Sequence, residues 1–340
     1  MKMNMRKWRE SVLASGKRLA VPLMTHPGID LTGKKVGDVV RYGELHYKAI
    51  KAIHDHYPTS VDVANIMMDL TVEAEAFGCT VTFHDHESPN VAGTIVHDES
   101  SVNRLAVPDL HTARIPEYLK AARLAVENLP DRPVFAGCIG PISLAGRLFG
   151  MTELMTGLYL EPATMKCLLK KCSDFLLEYT REFKRIGANG IIMAEPAAGL
   201  LSAALCDEFS STYIEKIVSD VQDDEFIFIL HNCGNTGSVT QSMLSTGAHG
   251  IHLGNAIDIV KALDEIPSTI LVMGNLDPVG VFKLSKPREV FTTTLELLHG
   301  TVRHDNFIIS SGCDTPPGVP RQNIEAFFDA VNDFNTKRRP

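Results

Sequence analysis

The sequence predicts an α/β protein, a (β/α)8 barrel of the TIM type with a β-hairpin inserted after its second strand. Three observations carry this. Eight short apolar runs recur along the chain, and each reads as a strand buried on both faces, as in a parallel sheet. Stretches with helical periodicity separate them, which implies parallel pairing with right-handed crossovers. No linker or shift of composition divides the 340 residues, so residues 1–340 read as one domain. A doubly wound open sheet is the alternative, because its strand ends also gather polar residues. The regular spacing and the count of eight favour the barrel.

Taken in order, the chain opens with an amphipathic helix, Met5 to Leu19, forming an extension over about residues 1–19. Its Arg6, Lys7, Arg9, Glu10, Lys17 and Arg18 interrupt any apolar stretch of the kind a secretory signal needs. The first strand, Leu19 to Met24, ends in Thr25-His-Pro-Gly28. A polar loop and a helix (Tyr42 to His56) lead to the second apolar segment, Ser60 to Met68. Thr80 to Val96 alternates and turns at Ser88-Pro-Asn90, which places the hairpin insertion at about residues 79–98. A helix from Ile115 to Glu127 precedes the third strand, Pro133 to Gly140. Helices from Ser143 to Leu158 and from Pro162 to Ile186 follow, then the strand Ile191 to Ala194. The remaining units alternate in the same way. Helix Ser210–Val221 precedes strand Phe226–Leu230, and helix Thr240–Thr246 precedes strand Gly250–Asn255. Helix Ile257–Glu265 precedes strand Thr269–Gly274, helix Pro287–Leu298 precedes strand Asn306–Ser310, and helix Gln322–Phe334 closes the chain.

Composition narrows the function classes. The chain is 44% hydrophobic and 22% charged, which suits a substantial core. The net charge is −8, and no basic run appears before Lys337, Arg338 and Arg339. Nucleic acid and anionic membrane are therefore excluded as large partners. No apolar run reaches transmembrane length. Seven scattered cysteines, an odd number, fit a reducing cytoplasm better than a disulfide framework.

In a barrel the active site lies at the carboxyl ends of the strands. His26, Asp69, Glu195, His231, Cys233, Asn255, Asn275, Asp277 and Cys313 collect there. The run Phe226 to Leu230 stops at His231, Asn232, Cys233 and Gly234. If extended geometry continues, His231 and Cys233 point the same way, because strand side chains alternate. Cys313 sits just past the eighth strand. One His and two Cys suit zinc, and three protein ligands leave a position open for chemistry. The strands concerned are not neighbours, so a shared ion would sit across the mouth. The competing reading is two buried cysteines and a hydrogen-bonded histidine, and spacing alone leaves the two readings level.

Glu195 follows a strand and precedes Pro196. It reads as a fourth ligand or an acid–base group at the mouth, or else as a cap of the next helix. Asp69 and Asp277 are further catalytic candidates; either orients His231 or caps a loop. Met24, Met67, Met68 and Met193 would line the mouth beside His26, Asn255 and Asn275 as the substrate wall, although Met is also common core filler. The patterns His54-Asp-His56 and His84-Asp-His86 read as solvated or structural histidines. Cys138 reads as core, and Cys79, Cys167, Cys172 and Cys206 have no partner at metal spacing. Walker A, G-x-G-x-x-G and G-x-S-x-G motifs are absent.

Three stretches carry a resemblance: Val63-Ala-Asn-Ile-Met-Met-Asp69, Gly274-Asn-Leu-Asp-Pro278 and the loop Gly312 to Pro320. Together they resemble the uroporphyrinogen decarboxylase superfamily, over about Pro22 to Phe328, and that family is a (β/α)8 barrel. His231-x-Cys233 with Cys313 in Ser-Gly-Cys-Asp-Thr-Pro-Pro-Gly is similar to its zinc-dependent cobamide methyltransferase branch. That branch includes methylcobamide:coenzyme M methyltransferases and corrinoid-dependent O-demethylase methyltransferases. The resemblance implies zinc on His231, Cys233 and Cys313, a corrinoid (cobalamin) carried by a partner protein, and a small methyl donor or acceptor. Asp69 matches the position of the decarboxylases' catalytic aspartate. The first-strand loop, Met24-Thr-His-Pro-Gly28, lacks the arginines with which decarboxylases hold a carboxylate-rich tetrapyrrole, so decarboxylation is the weaker implication. No Arg or Lys ends a strand; Arg147 and Arg321 come nearest. This favours an uncharged phenyl methyl ether, and hence an O-demethylase component. Transfer from methyl-corrinoid to a coenzyme M-like thiol is the alternative, and a non-catalytic zinc barrel is the bland one.

Overall fold

The structure, a computed structural model, describes residues 3–234, 237 and 239–337. Its strands are β1 (Ala64–Asn65), β2 (Thr80–Thr82), β3 (Asn90–Ala92), β4 (Val134–Ile139), β5 (Gly190–Ala194), β6 (Ile227–Asn232), β7 (Gly250–Leu253), β8 (Leu271–Leu276) and β9 (Phe307–Ser311). Among the described residues, seven form one sheet in the order β1-β4-β5-β6-β7-β8-β9. Every neighbouring pair in it is parallel. β2 and β3 pair with each other, antiparallel.

Residues 19–23 bring the two edges of this sheet together. Val21 N–H donates to Ile309 O (2.9 Å) and Ile309 N–H to Leu19 O (3.1 Å), while Asp62 N–H donates to Ala20 O (3.3 Å). The sheet is therefore curled, with its β9 and β1 ends bridged by one extended segment.

Strand alternation then builds two cores. Val21, Leu23, Val63, Phe135, Ile192, Ile227, Ile229, Leu271, Met273 and Ile308 fill the inside of the curl. Their sequence neighbours, such as Phe228, Leu230 and Ile309, pack outward with the helices. The helix Met5–Ala14 closes the amino-terminal end of the inner core. Asn4 caps it by accepting from Lys7 N–H (2.8 Å), Met5 N–H donates to Asp224 O (2.7 Å), and Trp8 meets Phe135 edge-on at 5.9 Å. This helix ends five residues earlier than the sequence suggested.

Other elements also differ from expectation. The second strand is two residues long rather than Ser60 to Met68. The single helix expected from Ser143 to Leu158 is two, Pro141–Phe149 and Met151–Leu160. Gly150 separates them at φ 102°, a conformation that Cβ-bearing residues disfavour. The stretch after the first strand, read as a loop, contains the helix Thr25–Thr32. Among the described residues no helix is long and apolar enough to cross a membrane.

Candidate metal centre and the adjoining cleft

Residues β6 and β9 set the centre by the same alternation that fills the core. Ile227 and Ile229 point inward, so His231 does too, and continuing the period brings Cys233 to the same side. Ile308 points inward from β9, and Cys313 follows two residues after that strand ends. The ligand atoms of His231, Cys233 and Cys313 lie within 4.8 Å of one another. Donors at zinc distances from one ion stand at most about 4.6 Å apart, so these atoms need little closure to share it.

The state of the atoms fits a metal. His231 is 1% exposed, and its Nε2 is buried with no hydrogen-bond partner. Such an atom normally finds a donor, an acceptor or an ion. The Cys233 thiol is pushed down, first by its hydrogen bond with Cys313 and then by the nearby His231 ring. Cys313 is pushed up in turn, first by the same bond. The pair thus gives up one proton readily and holds the second. Two sulfurs and an imidazole nitrogen form a borderline-soft set suited to zinc, and they leave one coordination position over.

His231 is anchored from its other side. Its Nδ1 lies 3.2 Å from His252 O and 2.8 Å from His252 Nδ1. His252 Nε2 lies 3.0 Å from Ser310 Oγ, which donates to Val21 O at 2.7 Å. The register pairs His231 with His252, so both rings project from adjacent strands into the inner core. Gly254, just beyond β7, lets the chain after β6 pass. A Cβ there would lie 2.6 Å from both the Cα and the carbonyl oxygen of Cys233.

A cleft of about 340 Å³ opens beside Asp314, the neighbour of Cys313. His26, Met67, Asp69, Ser88 and Arg147 help to line it. His26 is 4% exposed, and its Nε2 meets Ser88 Oγ at 2.9 Å. Met67 is held by its backbone N–H, which donates to His46 Nε2 (2.9 Å), and by Tyr118 OH against its sulfur. Burial pushes His46 down to about 4, keeping it neutral as that acceptor. Met24 borders a smaller void with His46 and Met67.

Several expected site residues are placed otherwise. Asp69 does not reach His231. Its carboxylate accepts from Arg114 Nη1 (2.6 Å), Tyr118 OH (3.0 Å), and Thr71 N–H and Oγ1 (3.0 and 2.7 Å). Arg114 also reaches Glu75 (2.5 Å) and lies over the Phe83 ring. Glu195 faces away from the mouth, because Ala194 is the inward residue of that pair. It accepts from Ser143 N–H (2.7 Å) and Ile142 N–H (3.2 Å) in the first turn of the helix Pro141–Phe149. Burial pushes its carboxyl up to about 7, opposed by those bonds. The expected cap of the next helix is not what is found: Glu195 makes no side-chain bond to the turn Pro196–Leu200 that follows it, and it caps the earlier helix Pro141–Phe149 instead.

Met193 turns outward into the helical layer. The Asn275 amide donates to Gly254 O (3.1 Å) and Ile257 O (2.7 Å). Asp277 ties its own turn by accepting from the Val279 and Gly280 amides, both at 2.8 Å. Asn255 is exposed, with its backbone close to Gly312. Arg321 lines a separate void with Pro27 and Asp30, so of the two arginines Arg147 borders the cleft. His252, Ser310 and Arg114 were not singled out from sequence. Gly250-Ile-His252-Leu carried half a signal, since alternation places His252 on the face opposite Ile251.

Comparison with known proteins gives the family and the fold. The uroporphyrinogen decarboxylase (URO-D) family matches residues 18–334. A methylcobamide:CoM methyltransferase MtbA from Methanosarcina acetivorans is 28% identical over 286 residues, covering 82% of each chain. Its counterpart from Methanosarcina mazei is 29% identical over the same length and shares. A solved structure described as a methyltransferase from Methanosarcina mazei superposes with a TM-score of 0.86 at 22% identity. It covers 98% of this chain and 99% of that one, and the likeness speaks for the fold.

Proposed function

Because the chain belongs to the uroporphyrinogen decarboxylase (URO-D) family, on the side of its cobamide-dependent methyltransferases, we propose that it moves a methyl group between a corrinoid carried by a partner protein and a small thiol. The single observation that carries this is the convergence of His231, Cys233 and Cys313 within 4.8 Å, with the His231 Nε2 buried and unpartnered. His231 through Nε2 and both cysteine sulfurs would hold zinc. Zinc bound there supplies Lewis acidity, which lowers the pKa of a thiol so that the more nucleophilic thiolate meets the methyl group.

The protein does the remaining work through position and exclusion. The inner core below His231 is sealed from water by Ile229, Met273 and Ile308, so charge at the centre acts in a low dielectric. Arg114 fixes Asp69 and with it one wall of the cleft. Arg147 brings a cation to that cleft, which suits a thiol with an anionic tail better than the phenyl methyl ether expected from sequence. The relatives are named for a thiol acceptor, and nothing in them supports an ether. The same reading takes residues 1–340 as one (β/α)8 barrel with residues 19–23 as its first strand. Residues 79–98 form the inserted hairpin, in keeping with the antiparallel pairing of β2 and β3.

The test is thiol-dependent demethylation of free methylcobalamin, followed by its visible spectrum. We expect turnover with 2-mercaptoethanesulfonate, slower turnover with neutral 2-mercaptoethanol, and loss of activity in Cys313→Ser. Arg147→Ala should raise KM for the anionic thiol while leaving the neutral one unchanged. Turnover confined to phenyl methyl ethers with cobalt(I) cobalamin would return the function to O-demethylation. Tetrapyrrole decarboxylation that survives Cys233→Ser and Cys313→Ser would overturn the methyltransferase reading.

A further inference from the structure

We infer that His252 is a positioning residue of the metal centre: a chain of oriented hydrogen bonds, beginning at the Val21 carbonyl, fixes the tautomer of His231 and so presents a bare Nε2 to the metal. The inference rests on the metal reading of His231, Cys233 and Cys313.

The direction follows from the group at the start of the chain, which can only accept. Val21 O takes the Ser310 hydroxyl proton at 2.7 Å. With that proton committed, Ser310 Oγ serves His252 Nε2, 3.0 Å away, as an acceptor. His252 therefore carries its proton on Nε2. The ring is 0% exposed, and no carboxylate pairs with it among the described residues, so a second proton would leave an uncompensated buried charge. His252 Nδ1 is then a lone pair. The 2.8 Å contact with His231 Nδ1 requires His231 to donate, and the His252 carbonyl, at 3.2 Å from the same nitrogen, is also an acceptor. A neutral His231 protonated on Nδ1 has no proton on Nε2, the atom that lies buried without a partner.

The chain crosses the inner core through four elements: the segment 19–23, β9, β7 and β6. It also fixes the ring plane, since the His231 and His252 rings stand at 77° with centroids 4.6 Å apart. Reversing any link would move a proton onto His231 Nε2 and close it to the ion. Partners of this kind behind a ligating imidazole set both its tautomer and its orientation.

Two measurements test the inference. Nitrogen-15 NMR of histidine-labelled, metal-free protein should show His231 protonated at Nδ1 and His252 at Nε2. The opposite tautomer of His231 would overturn the relay whether or not the protein binds zinc. Zinc affinity should then be measured by chelator competition. His252→Leu removes the acceptor and should weaken binding about 10–100-fold. His252→Asn restores an acceptor oxygen near the Nδ1 position and should recover most of that loss. With cobalt(II) as a probe, His252→Leu should keep the thiolate-to-cobalt absorption but shift the ligand-field bands. If His252→Leu does not fold, Ser310→Ala carries the test, because it frees His252 to change tautomer and should weaken zinc binding too. Wild-type affinity and an unchanged cobalt spectrum in the folded variants would overturn the role of His252. A wild-type protein that takes up no zinc would instead overturn the metal reading, and the two failures are separable.

Discussion

Replacing Arg114 with methionine tests how the cleft wall is built. Asp69 and Arg114 form a buried pair, with side-chain exposures of 2% and 7%. The guanidinium donates to Asp69 at 2.6 Å, Glu75 at 2.5 Å, Thr71 Oγ1 at 2.7 Å and Val40 O at 3.2 Å. Methionine fills much of the same volume but leaves the buried Asp69 carboxylate with only Thr71 and Tyr118 as donors and no countercharge, and removing one partner of a buried pair costs about 3–5 kcal/mol. Asp69→Asn alone costs less, because the amide oxygen still accepts from Thr71 and Glu75 still pairs with Arg114. In Arg114→Met/Asp69→Asn the Asp69 charge is gone, and the loss of the Glu75 partner, common to both Arg114 variants, cancels in the cycle. The double-mutant cycle from urea denaturation should give a coupling energy of about 2–3 kcal/mol. Zinc content should be unchanged in all three variants, since Asp69 lies off the metal centre. A coupling energy near zero, or equal loss in the single and double variants, would refute the claim that this ion pair fixes the wall.

Two further outcomes follow from close packing inside the fold. Burial pushes the Glu73 carboxyl up to about 8. A raised folded-state value makes its contribution to stability complete below about 4.5 and lost as pH rises through about 8. Wild-type stability should therefore fall between pH 5 and 8, and Glu73→Gln should flatten that slope; parallel slopes in urea titrations would contradict it. Gly254→Ala should fold but bind zinc more weakly, because the new Cβ collides with the Cys233 backbone. Gly300→Ala is the control, as its nearest neighbour is an ordinary 3.6 Å from the added carbon. Equal zinc affinity in the two variants would remove the proposed role of that close approach.

Much of this architecture was legible in the chain because period-two alternation is local. The apolar run Phe226 to Leu230 announced β6, and the same alternation carried His231 and Cys233 to one side. It would also have turned Glu195 outward, had Ile192 and Ala194 been taken as the inward pair. Reading Glu195 as a mouth residue gave its place after a strand more weight than its parity. His252 was half legible: its face follows from alternation, but its position beside His231 depends on the register between β6 and β7. Nothing in a single strand encodes that register. Arg114 was out of reach, since it sits 45 residues from Asp69 at the start of a helix, and only the packed fold brings them together. Asn275 shows the reverse limit. It lies at a strand end, as expected, yet its amide holds the chain after β7 instead of a substrate.

The most direct test of the central claim is zinc content, by mass spectrometry, of protein purified without a histidine tag, beside Cys233→Ser and Cys313→Ser. The account predicts about one zinc per chain in the wild type and its loss in both variants, with all three proteins folded. A folded wild-type protein that takes up no zinc after metal repletion, or variants that keep it, would contradict the claim that His231, Cys233 and Cys313 form the centre.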